Sequence, residues 1–297
     1  MGEQVSPKRK GSDLRPLLVS MRPRQWIKNL LVVAVPLASG TFLEQGVVGK
    51  IIVAFVSMCL AASSVYLVND VLDRDSDRKH PSKSQRPIAS GELPVRTALI
   101  AAAVLAVGGL AVAGLLASTD LMWLVAGYLG LQAIYVAWAK HQPVLDLASV
   151  AAGFVIRAIA GGVAVGIPTS TWFMTVTAAT AFFVVSGKRY SELVTQGVSG
   201  TRQGLKDYSE GYLRFAWGVS VGIAVVFYGL WAAELSSGDS GFWGRVSVVP
   251  FVLILLRYAR DIDAGLAEAP EEMLFRDRVL QILGIVWVAM FALQVYA

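Results

Sequence analysis

Nine stretches of about 17 to 24 residues in this 297-residue chain are nearly free of charge. Each is close to the roughly 20 apolar residues an α-helix needs to cross about 30 Å of hydrocarbon. In lipid, backbone N–H and C=O groups must bond within the protein, which leaves helices or a closed barrel. The alternating pattern of a barrel strand is missing. The expected fold is therefore all-α, a polytopic membrane protein with nine transmembrane helices near 27–43, 50–69, 95–117, 120–139, 143–166, 170–187, 212–235, 245–262 and 278–296. Only 16% of the residues are charged, so bilayer rather than water is the solvent. Residues 1–20 read as a disordered to amphipathic tail and 21–297 as one helical membrane domain. The first 28 residues lack the short apolar core and cleavage site of a removed signal peptide.

The placement of charge sets the expected orientation. With a cytosolic N-terminus, 23 of the 26 Lys and Arg residues fall on the cytosolic side; Lys50 and Arg245 fall outside and Arg157 lies inside a span. The positive-inside rule then puts residues 80 and 200 in the cytosol, and residue 240 and the C-terminus on the other side of a bacterial plasma membrane. The +5 net charge belongs to this asymmetry, so no nucleic-acid partner is expected. The lone Cys59 excludes a disulfide framework, and His80 and His141 lack the spacing of a zinc pair.

Chemistry concentrates where the second span ends, in the pattern N-D-x-x-D-x-x-x-D of Asn69, Asp70, Asp73 and Asp77. At about 100° per residue these four share one helical face, while Asp75 falls on the opposite side. Clustered carboxylates repel unless cations intervene, and an all-oxygen, histidine-free set suits Mg²⁺ held jointly by protein and phosphate. The alternative is a solvated helix end whose aspartates pair with Arg74, Arg78 and Lys79. Prolines bracket the next segment, which should fold back so that Lys83 and Arg86 grip phosphate oxygens; a basic loop on anionic lipid heads remains the other reading.

The sixth span ends in Lys188, Arg189, Tyr190 and Glu192, a second cationic patch or a simple i,i+4 pair. Arg157 lies about ten residues from either end of its span, where facing a polar cavity is the cheaper solution. Asp146 is too far along the same helix to neutralise it. Tyr135 and Lys140 close the fourth span as ligand contacts or interfacial anchors. Lys28, in a basic entry to the first span, suits a lipid phosphate or an anionic leaflet.

These motifs resemble the UbiA superfamily of intramembrane prenyltransferases over nearly the whole chain. The resemblance implies a helical bundle around a cavity, Mg²⁺ on the first aspartate motif, and a lateral entry for a polyprenyl chain. Asn69, Asp73 and Asp77 match the family's metal and diphosphate residues. Where many members carry a second D-x-x-x-D motif, Lys188-Arg189-Tyr190-Ser191-Glu192 stands here. R-P-R-Q-W-I-K-N at 22–29, N-D-V-L-D-R-D-S-D-R-K-H-P at 69–81 and G-F-V-I-R-A-I-A-G at 153–161 resemble the decaprenyl-phosphate phosphoribosyltransferase branch. That implies transfer of 5-phosphoribosyl from 5-phosphoribosyl diphosphate to a polyprenyl phosphate on the way to cell-wall arabinan. Asp73, Asp77, Lys188 and Arg189 would act on the reacting groups, with Lys28, Lys83, Arg86, Tyr135, Lys140, Arg157, Tyr190 and Glu192 binding substrates. Prenyl transfer to an aromatic or other acceptor is the alternative within the fold, and an ion or solute transporter the alternative outside it. Assembly into a homo-oligomer stays open.

Overall fold

In the computed structural model, residues 14–200, 205, 207–235, 241–270, 273 and 276–296 are described, and every apolar run after the first becomes a helix. The chain opens with α1 (Arg15–Met21), a 3-10 segment (Pro23–Val33) and α2 (Ala34–Ala38). It continues through α3 (Val47–Leu72), α4 (Arg74–Arg78), α5 (Pro87–Ser90), α6 (Val95–Leu116), α7 (Thr119–Ala137) and α8 (Leu145–Val165). The last four helices are α9 (Thr171–Gly200), α10 (Glu210–Leu235), α11 (Phe242–Asp263) and α12 (Arg278–Tyr296). No strand occurs among the described residues. Seven helices there, α3, α6, α7, α8, α10, α11 and α12, are long and apolar enough to cross a membrane. The sixth expected span lies inside α9, whose 30 residues carry Thr171, Thr175, Thr177 and Thr180 and end in a polar stretch. The basic tail before Leu14, Arg202, Lys206 and position 240 lie outside the described residues.

The expected first helix at 27–43 is not a regular α-helix. Arg22 enters it in the left-handed region (φ 55°), and Pro23 starts a 3-10 run of 11 residues. Side chains from neighbouring helices hold this tighter winding. Trp26 Nε1 donates to Ser63 Oγ at 3.0 Å, Asn29 Nδ2 to Cys59 Sγ at 3.2 Å, and Arg157 Nε to Asn29 Oδ1 at 2.7 Å. Hydropathy reports that a segment prefers lipid but says nothing about its winding.

The helices form a closed ring. α3 packs against α6, α7 and α8; α9 joins α8 to α10 and α11; and α12 packs on α11. The Tyr296 hydroxyl donates to Leu37 O at 3.3 Å, joining the last helix to the first segment. In the second half of the ring the Tyr228 ring stacks on Phe251 at 4.0 Å between centroids. Its hydroxyl is satisfied by Trp287 Nε1 at 2.7 Å and Ser247 Oγ at 2.9 Å, as a phenol buried in an apolar core requires.

α8 and the 3-10 segment meet backbone to backbone. A Cβ at Gly161 would stand 1.7 Å from Val32 O and 2.8 Å from Val32 C, so only glycine lets the backbones meet there. Gly161→Ala must push the first segment off α8, a backbone displacement of the overpacking kind that costs about 1–3 kcal/mol. It should lower the unfolding temperature of the detergent-solubilised protein, and an unchanged melting curve would show that the contact is looser than described.

Candidate active site

α3 ends at Leu72 because Asp73 leaves helical geometry (φ −87°, ψ 3°), yet the register carries on: Asp73 N–H donates to Asn69 O at 2.9 Å and Asp77 N–H to Asp73 O at 2.8 Å. The expected face survives this break. Asp70 and Asp77 are each 3% exposed, whereas the Asp75 side chain is 90% exposed and meets only Arg78, at 3.7 Å. Ile88 and Leu93, buried against Leu67 and Ala98, pin the following loop under α3 and α6. Because Arg86 precedes Pro87, it is held extended (φ −61°, ψ 139°), which ends the short 3-10 turn at Lys83–Gln85.

Each inward carboxylate has a cationic partner. Arg86 Nη1 donates to Asp77 Oδ2 at 2.7 Å and to Asp70 Oδ1 at 3.1 Å. Arg22 Nη2 reaches the same Asp70 oxygen at 2.5 Å and lies over the Tyr66 ring. Lys140 Nζ donates to Asp73 Oδ1 at 2.8 Å, while Asn69 Nδ2 donates to Asp73 Oδ2 at 3.0 Å. The loop is thus folded back, and of the alternative pairing with Arg74, Arg78 and Lys79 only the exposed Arg78–Asp75 contact is seen among the described residues, while Asp70, Asp73 and Asp77 meet Arg22, Arg86 and Lys140.

A second charged group joins α8 to α9. Arg189, 7% exposed, donates through Nη1 to Glu192 Oε2 at 2.9 Å, and its Nε lies 3.4 Å from Asp146 Oδ2. Lys188 Nζ is 3.8 Å from Glu192 Oε1. Burial works against the Arg189 charge, but Glu192, Tyr135 and Asp146 more than offset it, so the guanidinium holds its proton even more firmly than usual. The Tyr208 hydroxyl donates to Asp146 Oδ1 and accepts from Val144 N–H at 2.6 Å. Burial and the Asp146 contact push this phenol above its usual range, which keeps it a hydrogen-bond donor at neutral pH.

Two confluent cavities lie against these groups. The smaller, about 310 Å³, is walled by Asn69, Asp73, Asp77, Gln132, Lys140 and Asp146, with Leu205 at its edge. The larger, about 1240 Å³, runs between the first segment, α8, α9 and α11 past Lys28, Lys188 and Glu192 to apolar walls at Leu31, Phe154 and Phe183. Arg22, Tyr66, Ser76, Lys83, Arg86, Tyr135 and Arg189 line both. Lys and Arg outnumber Asp and Glu five to three around the first cavity and six to one around the second, so both favour anions. No three His, Cys, Asp or Glu side chains among the described residues converge as a metal set. Mg²⁺ is commonly held by one or two carboxylates plus substrate phosphates, and the oxygen donors of Asn69, Asp73 and Asp77 on one wall fit that demand.

Three expected contacts are relocated. Asp70 lies behind the wall as the shared counter-ion of Arg22 and Arg86, and neither cavity is lined by it. Arg157 lines neither of these two cavities. Each of its three nitrogens donates, Nε to Asn29, Nη1 to Gly153 O at 2.8 Å and Nη2 to Tyr128 OH at 2.7 Å, and its guanidinium lies over the Tyr128 ring, so protein dipoles stand in for the missing carboxylate. Tyr190 turns the other way on α9 from Arg189, is 2% exposed, packs edge-on to Trp217 and accepts a hydrogen bond from Arg214 at 2.6 Å. The residues missed by sequence reading are Arg22, Gln132, Asp146 and Tyr208. Arg22 was visible as part of the basic entry, whereas Asp146 finds its partner 43 positions away on another helix.

Residues 32–277 match the UbiA prenyltransferase family. A decaprenyl-phosphate phosphoribosyltransferase of Mycolicibacterium smegmatis is 45% identical over 94% of this chain and 92% of its own length. One of Mycobacterium tuberculosis is 45% identical over 97% of both chains. Among solved structures, a UbiA homolog from Archaeoglobus fulgidus bound to GPP and Mg²⁺ superposes with a TM-score of 0.71, covering 94% of this chain and 98% of that one at 19% identity. The helical ring, the aspartate wall and the sequence matches agree, and the chain belongs to the UbiA prenyltransferase family.

Proposed function

We propose that the chain is a phosphoribosyltransferase that moves 5-phosphoribosyl from 5-phosphoribosyl 1-diphosphate to a polyprenyl phosphate, decaprenyl phosphate by its relatives' names, releasing diphosphate for cell-wall arabinan synthesis. The observation that carries this reading is the confluence of the two cavities. One is small, polar and cationic, as a sugar carrying a diphosphate and a 5-phosphate requires; the other joins a cationic mouth to an apolar length, as a lipid phosphate requires. Their shared wall of Arg22, Lys83, Arg86 and Arg189 is where the two anions would meet.

A lipid phosphate oxygen attacks ribose C1 as the C1–O bond to diphosphate breaks. The nucleophile is already an anion, so the site needs no general base, although His141 stands on the wall of the smaller cavity. Arg86 and Lys83 hold the departing diphosphate, Arg189 on the shared wall the 5-phosphate with Lys188 reaching it from the larger cavity, and Lys28 the lipid head, each through charge-assisted hydrogen bonds. Tyr135 and Lys140 complete the wall, and Glu192 orients Lys188 and Arg189. Asn69, Asp73 and Asp77 would hold Mg²⁺, which supplies charge neutralisation to the leaving diphosphate. The membrane arrangement that goes with this reading has nine segments, counting the 3-10 entry and α9. The N-terminus and the site face the cytosol of a bacterial plasma membrane and the C-terminus faces outward.

Purified protein given polyprenyl phosphate, Mg²⁺ and labelled 5-phosphoribosyl diphosphate should form a labelled lipid. Condensation of a prenyl diphosphate with an aromatic acceptor, with the ribosyl donor ignored, would end the phosphoribosyl reading. In that assay Asp73→Asn and Asp77→Asn should each lower turnover by about 10²-fold or more, and Asp75→Asn only mildly. Equal damage at all three positions in folded protein would count against the inward face. Lys188→Ala should weaken binding of the ribosyl donor by roughly 10- to 150-fold while leaving lipid phosphate affinity far less changed. For orientation, a cysteine at His80 should react with an impermeant reagent from the cytosolic side and one at exposed Gln45 from the other. The reverse pattern would overturn the topology.

A further inference from the structure

Arg189 Nε is buried and makes no hydrogen bond, although a carboxylate oxygen of Asp146 stands 3.4 Å away. Such an orphan in a residue that lines both cavities calls for an explanation. The other Asp146 oxygen is taken by the Tyr208 hydroxyl, itself fixed by Val144 N–H. Val144 has φ 68° and ψ −46°, and Leu145 N–H donates to Pro143 O at 2.8 Å, which makes Val144 the centre of a strained three-residue turn. A β-branched residue rarely adopts this conformation, and the surrounding structure must hold it there. The turn supplies the donor to Tyr208 and leaves Asp146 in the first turn of α8.

We propose that Tyr208 is a positioning residue that holds the Asp146 carboxylate short of Arg189, so that the guanidinium on the cavity wall keeps its charge for a substrate phosphate instead of closing on Asp146. Asp146 then balances the buried guanidinium at a distance without taking its donor. This rests on the assignment of Arg189 to a substrate phosphate made above. The connection between α9 and α10, which carries Tyr208, thereby sets the anion affinity of a residue on α9 that it does not itself bond.

The proposal predicts opposite behaviour from two neighbours. In the full-length protein in detergent, with Mg²⁺ constant, Tyr208→Phe should release Asp146 onto Arg189 and weaken binding of 5-phosphoribosyl diphosphate or of inorganic pyrophosphate by about tenfold. Asp146→Asn should bind within about threefold of wild type or tighter, and the double variant should recover to within about threefold of wild type. A merely structural role would make the damage of the two substitutions add. Three results would overturn the proposal: Asp146→Asn as weak as Tyr208→Phe, a double variant no better than Tyr208→Phe alone, or an unaffected Tyr208→Phe. If Tyr208→Phe did not fold, Asp146→Asn would decide, with weakened binding counting against. An effect seen only with the ribosyl donor assigns Arg189 to the 5-phosphate, and one seen with both ligands to the diphosphate; either supports the proposal. A wild-type protein that ignored the ribosyl donor but showed the pattern with pyrophosphate would remove the donor assignment and leave the positioning role standing.

Discussion

A carboxylate at the buried end of a membrane helix is costly to bury without a cationic partner, and in this chain Arg86 reaches two. Its Nη1 contacts Asp70 and Asp77 together, and the side chain can do so only because the loop after α4 doubles back under α3 and α6. Charge pairing and loop path are therefore one constraint. An isolated buried ion costs several kcal/mol, so a loop that swung away from Asp77 would leave an uncompensated charge behind. The cavities, their cationic mouth and the inward turn of the aspartate motif all depend on that closure.

Local regularities made much of this legible from the residues. The separation of Asp73 and Asp77 from Asp75 follows from helical periodicity, and it persists through the break at Asp73 because the backbone hydrogen bonds continue across it. The spans after the first follow from hydropathy and come within a few residues of the observed helices, except that α9 runs on past its span. What stayed hidden depends on how helices are rotated against one another. Whether Tyr190 or Arg189 faces the cavity is a matter of azimuth, which residue type alone does not set. Asp146 pairs with Arg189 across two helices, and Arg157 is settled by dipoles from three separate elements, so neither pairing leaves a mark at fixed spacing.

α8 shows how one helix can serve both shape and chemistry. Gly161 admits the backbone of the first segment, Arg157 ties that segment's Asn29 to Tyr128 of α7, and Asp146 at the N-terminal end stands opposite Arg189. Asn29 follows Lys28, a residue of the larger cavity, so the clamp that keeps the first segment in its irregular winding also fixes where that cation lies. A buried arginine satisfied by neutral partners thus acts on the site through backbone placement.

The confluence of the cavities has a consequence for small-molecule ligands. Because one wall serves both compartments, a single compound with an anionic polar head joined to a short apolar tail would span both without a long linker. Joining two weak binders in this way makes the second contact intramolecular, at an effective concentration in the millimolar range for a short flexible connection. Any substitution on that wall that evaded such a compound would alter the lining of both cavities at once, which narrows the routes to resistance.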